Sequence, residues 1–151
     1  MRKISLLVIA FLFTIYLQAQ DTSTFGFNFN HVALSVKDLD RSANFYTQVL
    51  KLEEITNRSK LEGVRWFSLG EGKELHLISF VKEPVTINKA VHLALTTHNF
   101  DAFIKILDNL NMSYSDWPGT PQKTNVRADG INQVFFQDPD GYWLEVNSVG
   151  K

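Results

Sequence analysis

From residue 29 onward, apolar and polar residues alternate in short runs, interrupted by turn residues and by two stretches of helical period. Phe29–Val36 alternates as a strand, with Phe29, His31, Ala33 and Ser35 on one face and Asn30, Val32, Leu34 and Val36 on the other. Asp38 is placed to cap a helix over residues 39–50, whose stripe includes Leu39, Ala43, Tyr46, Val49 and Leu50. Strands are expected near 53–58, 64–69 and 74–80, the last two joined by Gly70-Glu71-Gly72-Lys73. A polar connection containing Pro84 follows.

The pattern then repeats. Residues 90–96 form a strand with His92, Ala94 and Thr96 on one face and Val91, Leu93 and Leu95 on the other. Residues 100–110 carry a helical stripe of Phe100, Phe103, Ile104 and Leu107, and 112–116 reads as the next strand. Pro118-Gly119-Thr120-Pro121 marks a loop before strands at 131–137 and 142–148, which are joined by Asp138-Pro139-Asp140-Gly141. The two halves agree in pattern at two places. His31-Val-Ala-Leu-Ser lies over His92-Leu-Ala-Leu-Thr, an offset of 61 (92 − 31), and the stretch ending Leu75-His76 lies over that ending Leu144-Glu145, an offset of 69 (145 − 76). The simplest organisation is an α+β domain over 29–149, made of two βαβββ modules at about 29–81 and 90–149.

Residues 1–20 read differently. Arg2-Lys3 and a mostly apolar run from Ile4 to Leu17 resemble a secretory signal, too short for a relaxed membrane span. The expectation is export to the periplasm or exterior after cleavage near Ala19 or Gln20, with an uncleaved anchor as the alternative and 21–28 as a short tail. After cleavage no membrane association is expected. Without Arg2 and Lys3 the balance is 13 basic (15 − 2) against 16 acidic residues, a net of −3. The basic residues form no cluster, which argues against nucleic acid as a partner. Cysteine is absent, so disulfides, thiolate nucleophiles and Cys-ligated metals are excluded.

Within this frame His31, His76, His92 and Glu145 stand out. Each sits in a strand, opposite the Val/Leu-rich positions, and each occupies a repeat-equivalent site. If the modules pair side by side, the four converge on one point. Three imidazoles and a carboxylate suit one divalent ion: Zn²⁺, Ni²⁺ or Co²⁺, with Fe²⁺ or Mn²⁺ as further candidates. His98, at the start of the second helix, reads as a surface residue. Asp138, Asp140 and Glu71 read as turn chemistry. Trp66, Phe67, Phe135 and Trp143 read as core or cavity wall, and Arg65 and Arg127 as solvated groups before substrate contacts.

His31 and the residues after it (His-Val-Ala-Leu-Ser-Val-Lys-Asp-Leu-Asp-Arg-Ser-Ala-Asn-Phe-Tyr) resemble the opening of the vicinal oxygen chelate superfamily, and Asp-Pro-Asp-Gly-Tyr-Trp-Leu-Glu resembles the ending of its glyoxalase I branch. The resemblance covers about residues 28–149. It implies paired βαβββ modules in an open, cupped mixed sheet around one divalent metal, with His31, His76, His92 and Glu145 at the ligand positions. Glyoxalase I usually has Glu or Gln where this chain has His76, which leaves Glu145 as the catalytic carboxylate. The implied activity is a lyase or isomerase that abstracts a proton beside a metal-chelated carbonyl/hydroxyl pair of a small molecule. Two alternatives stand beside it. One is an Fe²⁺ extradiol-type dioxygenase using His31, His92 and Glu145, with His76 outside the ligand set. The other is a small-molecule-binding protein of the resistance type. The site closes either within one chain or between two chains of a homodimer.

Overall fold

The computed structural model describes residues 26–81 and 83–149, so the signal-peptide reading of residues 1–20 lies outside the described residues. The first module runs β1 (His31–Ser35), α1 (Leu39–Gln48), β2 (Glu54–Ile55), β3 (Val64–Gly70) and β4 (Lys73–Ile78). The second runs β5 (His92–Thr97), α2 (Phe100–Asn109), β6 (Tyr114–Ser115), β7 (Asn125–Val126), β8 (Asn132–Gln137) and β9 (Trp143–Ser148). The α+β class and the two βαβββ units match the sequence pattern. β7 is an addition: two residues in a polar stretch, paired to β8.

Local chemistry sets the element ends. Asp38 is extended and accepts a hydrogen bond from the Arg41 N–H at 3.0 Å, satisfying a donor that the first turn of α1 leaves free. Beyond each helix the chain turns through a left-handed residue, Lys51 after α1 and Asn111 after α2. Between β3 and β4, Glu71 and Gly72 both have positive φ, the geometry a two-residue hairpin needs to follow the strand twist.

Each module forms its own open mixed sheet, in the order β1-β4-β3-β2 and β5-β9-β8-β6. β1 and β4 are parallel, as are β5 and β9, and the two registers are equivalent: Ala33 faces His76 as Ala94 faces Glu145. Among the described residues no ladder joins the sheets, and β1 and β5 each end a sheet.

The modules are joined through their helical sides. Leu34, Val36, Ala43, Tyr46, Phe67, Leu75 and Leu77 from the first share one core with Leu107, Val134, Phe136, Leu144 and Val146 from the second. Phe136 sits between Phe45 of α1 and Phe103 of α2, with ring centroids 6.4 and 5.6 Å away. Burying one such side chain contributes about 2 kcal/mol. Polar ties reinforce the contact. The Tyr46 hydroxyl donates to Asp138 Oδ2 at 2.7 Å, the Ser42 hydroxyl to Asp140 Oδ2 at 2.6 Å, and the Lys37 N–H to Asp140 Oδ1 at 2.8 Å. Tyr142 returns the tie by donating to the Ser35 carbonyl at 3.0 Å. Because the apolar faces meet in one core, the histidine-bearing faces of the two sheets turn away from it.

Candidate metal centre

Alternation opposite the core places each donor. Leu75 and Leu77 point into the core, so His76 between them points out, and Leu144 and Val146 do the same for Glu145. The four residues form two pairs. On the first module the His31 and His76 rings stack, with centroids 4.4 Å apart and planes 15° from parallel. On the second, His92 Nε2 lies 2.9 Å from Glu145 Oε2. Among the described residues no group of three or more His, Cys, Asp or Glu side chains is arranged to hold an ion, so one chain does not gather the four. The residue types suit a divalent ion, and the structure brings them together as two pairs, each a candidate half-site.

In the first half-site, His76 is sandwiched between His31 and Trp66, whose ring lies 4.1 Å away. Its Nε2 is 2.8 Å from Glu74 Oε2. A carboxylate only accepts, so this nitrogen carries the proton when Glu74 is ionised. Glu74 is buried and also takes Arg58, at 2.5 Å. Hydrogen bonds from His76 and Arg58 hold its carboxyl below the usual carboxylate range. The Arg58 guanidinium lies over the Trp66 ring, 4.7 Å from its centroid. His31 Nδ1 is 2.7 Å from the Asn30 side-chain oxygen.

In the second half-site, His92 Nδ1 lies 2.9 Å from the Lys89 carbonyl oxygen, which can only accept. Nδ1 therefore carries a proton and Nε2 is the nitrogen left facing Glu145. Both partners of the Nε2···Oε2 contact prefer to accept, so a proton, or a cation in its place, joins them. Gln133 Nε2 donates to the other carboxylate oxygen, Oε1, at 2.5 Å. Phe135 and Trp117 set ring edges against His92. The Lys89 ammonium lies over Phe135, Trp143 and Trp117 and donates to the Ser115 hydroxyl and to the Asp116 and Trp117 carbonyls. Burial lowers its pKa. A cleft of about 420 Å³ in this module is lined by Tyr114, Ser115, Phe135, Phe136 and Trp143.

Other sequence expectations resolve plainly. Phe67 is core, whereas Trp66, Phe135 and Trp143 share the faces that carry the donors. Arg65 is held by Glu54 and Asp40, and Arg127 by Asp129. His98 is exposed before α2. Asp138 and Asp140 do more than shape their turn, since both also bind α1. Glu74, Gln133 and Asn125 were not singled out by the sequence. Their only signals are alternation onto the donor face for Glu74 and Gln133, and a lone amide in a polar stretch for Asn125.

The Glyoxalase/Bleomycin resistance protein/Dioxygenase superfamily model matches residues 28–146, a span that holds His31, His76, His92 and Glu145 and all of both modules except the end of β9. The chain belongs to this superfamily. It is 27% identical over 126 residues to Glyoxylase I 4 of Arabidopsis thaliana, covering 78% of this chain and 68% of that one. It is 26% identical over 125 residues to the metallothiol transferase FosB of Staphylococcus saprophyticus, covering 79% and 75%. Among solved structures it resembles Oxidase ChaP-H2 with a TM-score of 0.68 at 22% identity, over 82% of this chain and 94% of that one, which establishes a shared fold. Members of the superfamily usually bind a divalent metal and act on small molecules.

Proposed function

We propose that this protein is a divalent-metal-dependent lyase or isomerase of glyoxalase type, acting on a small hydroxy-ketone or hemithioacetal. Its centre would be assembled when the His31/His76 face of one copy meets the His92/Glu145 face of a second. The observation that carries this is the division of the four donors into two pairs on faces turned away from the shared core. A two-fold dimer repeats the contact and yields two such centres. The free edges of β1 and β5, one beside each half-site, are natural places for the copies to meet.

The ion would supply Lewis acidity, easing loss of a proton next to a substrate carbonyl. His31, His76, His92 and Glu145 would hold it. Glu145, only loosely bound there, takes the proton from the substrate carbon at Oε2, its oxygen free of Gln133, and returns it to the neighbouring carbon, while the hydroxyl hydrogen passes to the former carbonyl oxygen; together these complete an isomerisation without a co-reactant. The aromatic rings flanking His92 keep water from the reacting atoms.

A second reading draws on the placement of His76, whose Nε2 is engaged by Glu74 and whose ring lies between Trp66 and His31. If it stays there, His31, His92 and Glu145 alone form a two-histidine, one-carboxylate set suited to Fe²⁺ and oxygen chemistry. Elemental analysis of the purified protein and of His76→Ala separates the two. Loss of Zn²⁺ or Ni²⁺ in the variant supports the four-donor lyase. Retained Fe²⁺ supports the oxygenase.

Assembly between chains has its own test. His31→Ala and His92→Ala should each abolish metal binding, while their co-expression should restore about a quarter of wild-type capacity through mixed dimers holding one intact centre. No recovery would show that the centre closes within one chain.

A further inference from the structure

We propose that Gln133 is the positioning residue for Glu145 and that Asn125 sets its orientation; the proposal rests on Glu145 being a donor to the metal. The argument is one of hydrogen-bond polarity. Gln133 lies on β8, on the face of Phe135, which pairs with Glu145 across the ladder. Its amide could present either end to the carboxylate. An NH₂ would hold Oε1, whereas a carbonyl would repel it.

Three residues decide the matter. The Trp117 backbone N–H, which can only donate, points at Asn125 Oδ1 over 3.1 Å. That fixes the Asn125 oxygen toward Trp117 and its NH₂ toward Gln133, where it donates to Oε1 over 2.9 Å. With its oxygen so occupied, Gln133 has only its NH₂ left for Glu145. A main-chain donor thus sets the direction of each later bond. Glu145 Oε1 is tied off, and Oε2 alone faces His92. The Lys89 carbonyl does the equivalent for His92 by fixing Nδ1 as its donor. Outer partners of this kind orient metal-binding side chains, and their loss typically costs about 10–100-fold in metal affinity.

Two variants test it. Gln133→Leu removes the donor. Asn125→Asp is sharper, because the new carboxylate still accepts from Trp117 but has no hydrogen to give. Gln133 should then turn its NH₂ toward position 125 and its carbonyl toward Glu145, although position 125 touches none of the four metal donors. Affinity for Zn²⁺ and Co²⁺ is measured by competition with a chromophoric chelator, alongside the Co²⁺ absorption spectrum. NMR of the cation-free protein follows the Gln133 side-chain amide protons. The expected result is about a 10–100-fold loss of affinity in both variants, an altered Co²⁺ spectrum, and a Gln133 amide signal that moves in Asn125→Asp, with circular dichroism matching the wild type. Wild-type affinity in both variants, or an unmoved Gln133 signal, overturns the proposal. A wild-type protein that takes up neither ion overturns the metal reading itself, and this role with it.

Discussion

The two modules place different side chains at equivalent register positions, and the comparison separates what the fold requires from what the site requires. On the donor faces, His31 corresponds to His92, His76 to Glu145, Trp66 to Phe135, and Glu74 to Trp143. Both faces contain an imidazole against a carboxylate. In the first module that pair, His76 and Glu74, lies along one strand, so Glu74 occupies a nitrogen of a candidate donor. In the second, His92 and Glu145 meet across two strands, and outer partners hold each of them. Outer hydrogen bonds hold both members of the second pair, while the first is stacked and internally satisfied. The core faces show no such contrast: both are apolar and both feed one interior.

If the shared side is what makes two modules one domain, breaking it should have the largest effect. Phe136→Ala removes the ring that meets both helices and should cost about 3–5 kcal/mol, read as a lower urea midpoint. A loss below 1 kcal/mol would mean the modules hold together without it. Next comes Tyr46→Phe, which leaves the buried Asp138 short of one donor, at a cost of about 1–3 kcal/mol. Tyr46 also has a pH signature. Burial, with Asp138 beside it, raises its pKa far above that of a free tyrosine. The folded chain therefore keeps the phenol proton while the unfolded chain loses it above about pH 10. Stability present below that pH should fall by about 1.4 kcal/mol per unit above it. Urea melts between pH 9 and 11 should show a steeper fall for the wild type than for Tyr46→Phe. Equal slopes would remove Tyr46 as the source.

Much of this was legible in the sequence, for a physical reason. Strand alternation puts His31, His76, His92 and Glu145 opposite a leucine- and valine-rich face, and the offsets of 61 and 69 residues reveal the repeat. What alternation does not encode is which side of a module meets its neighbour. Side-by-side pairing would have gathered the four donors in one chain; packing through Phe45, Phe103 and Phe136 separates them. The ties from Asp138 and Asp140 were hidden differently. Their partners lie 92 to 103 residues away, and the Asp-Pro-Asp-Gly turn already explains both carboxylates locally. β7 is two residues long and shows no alternation.

The smallest effect sharpens the contrast between the half-sites most directly. Glu74→Gln preserves shape but replaces an acceptor-only carboxylate with an amide. In the wild type, Glu74 draws the proton of His76 to Nε2, whereas the Lys89 carbonyl draws that of His92 to Nδ1. Long-range ¹⁵N spectra of the cation-free protein should therefore show a proton at Nε2 of His76 and one at Nδ1 of His92, with a further proton shared between His92 Nε2 and Glu145 Oε2. The substitution should shift the nitrogen signals of His76 and leave those of His92 unmoved, because the two pairs lie on separate sheets facing away from one core. Movement of both rings would show that the half-sites are linked within one chain or across a dimer already formed without metal. Movement of neither would show that stacking against Trp66 and His31, rather than the carboxylate, decides how His76 is held.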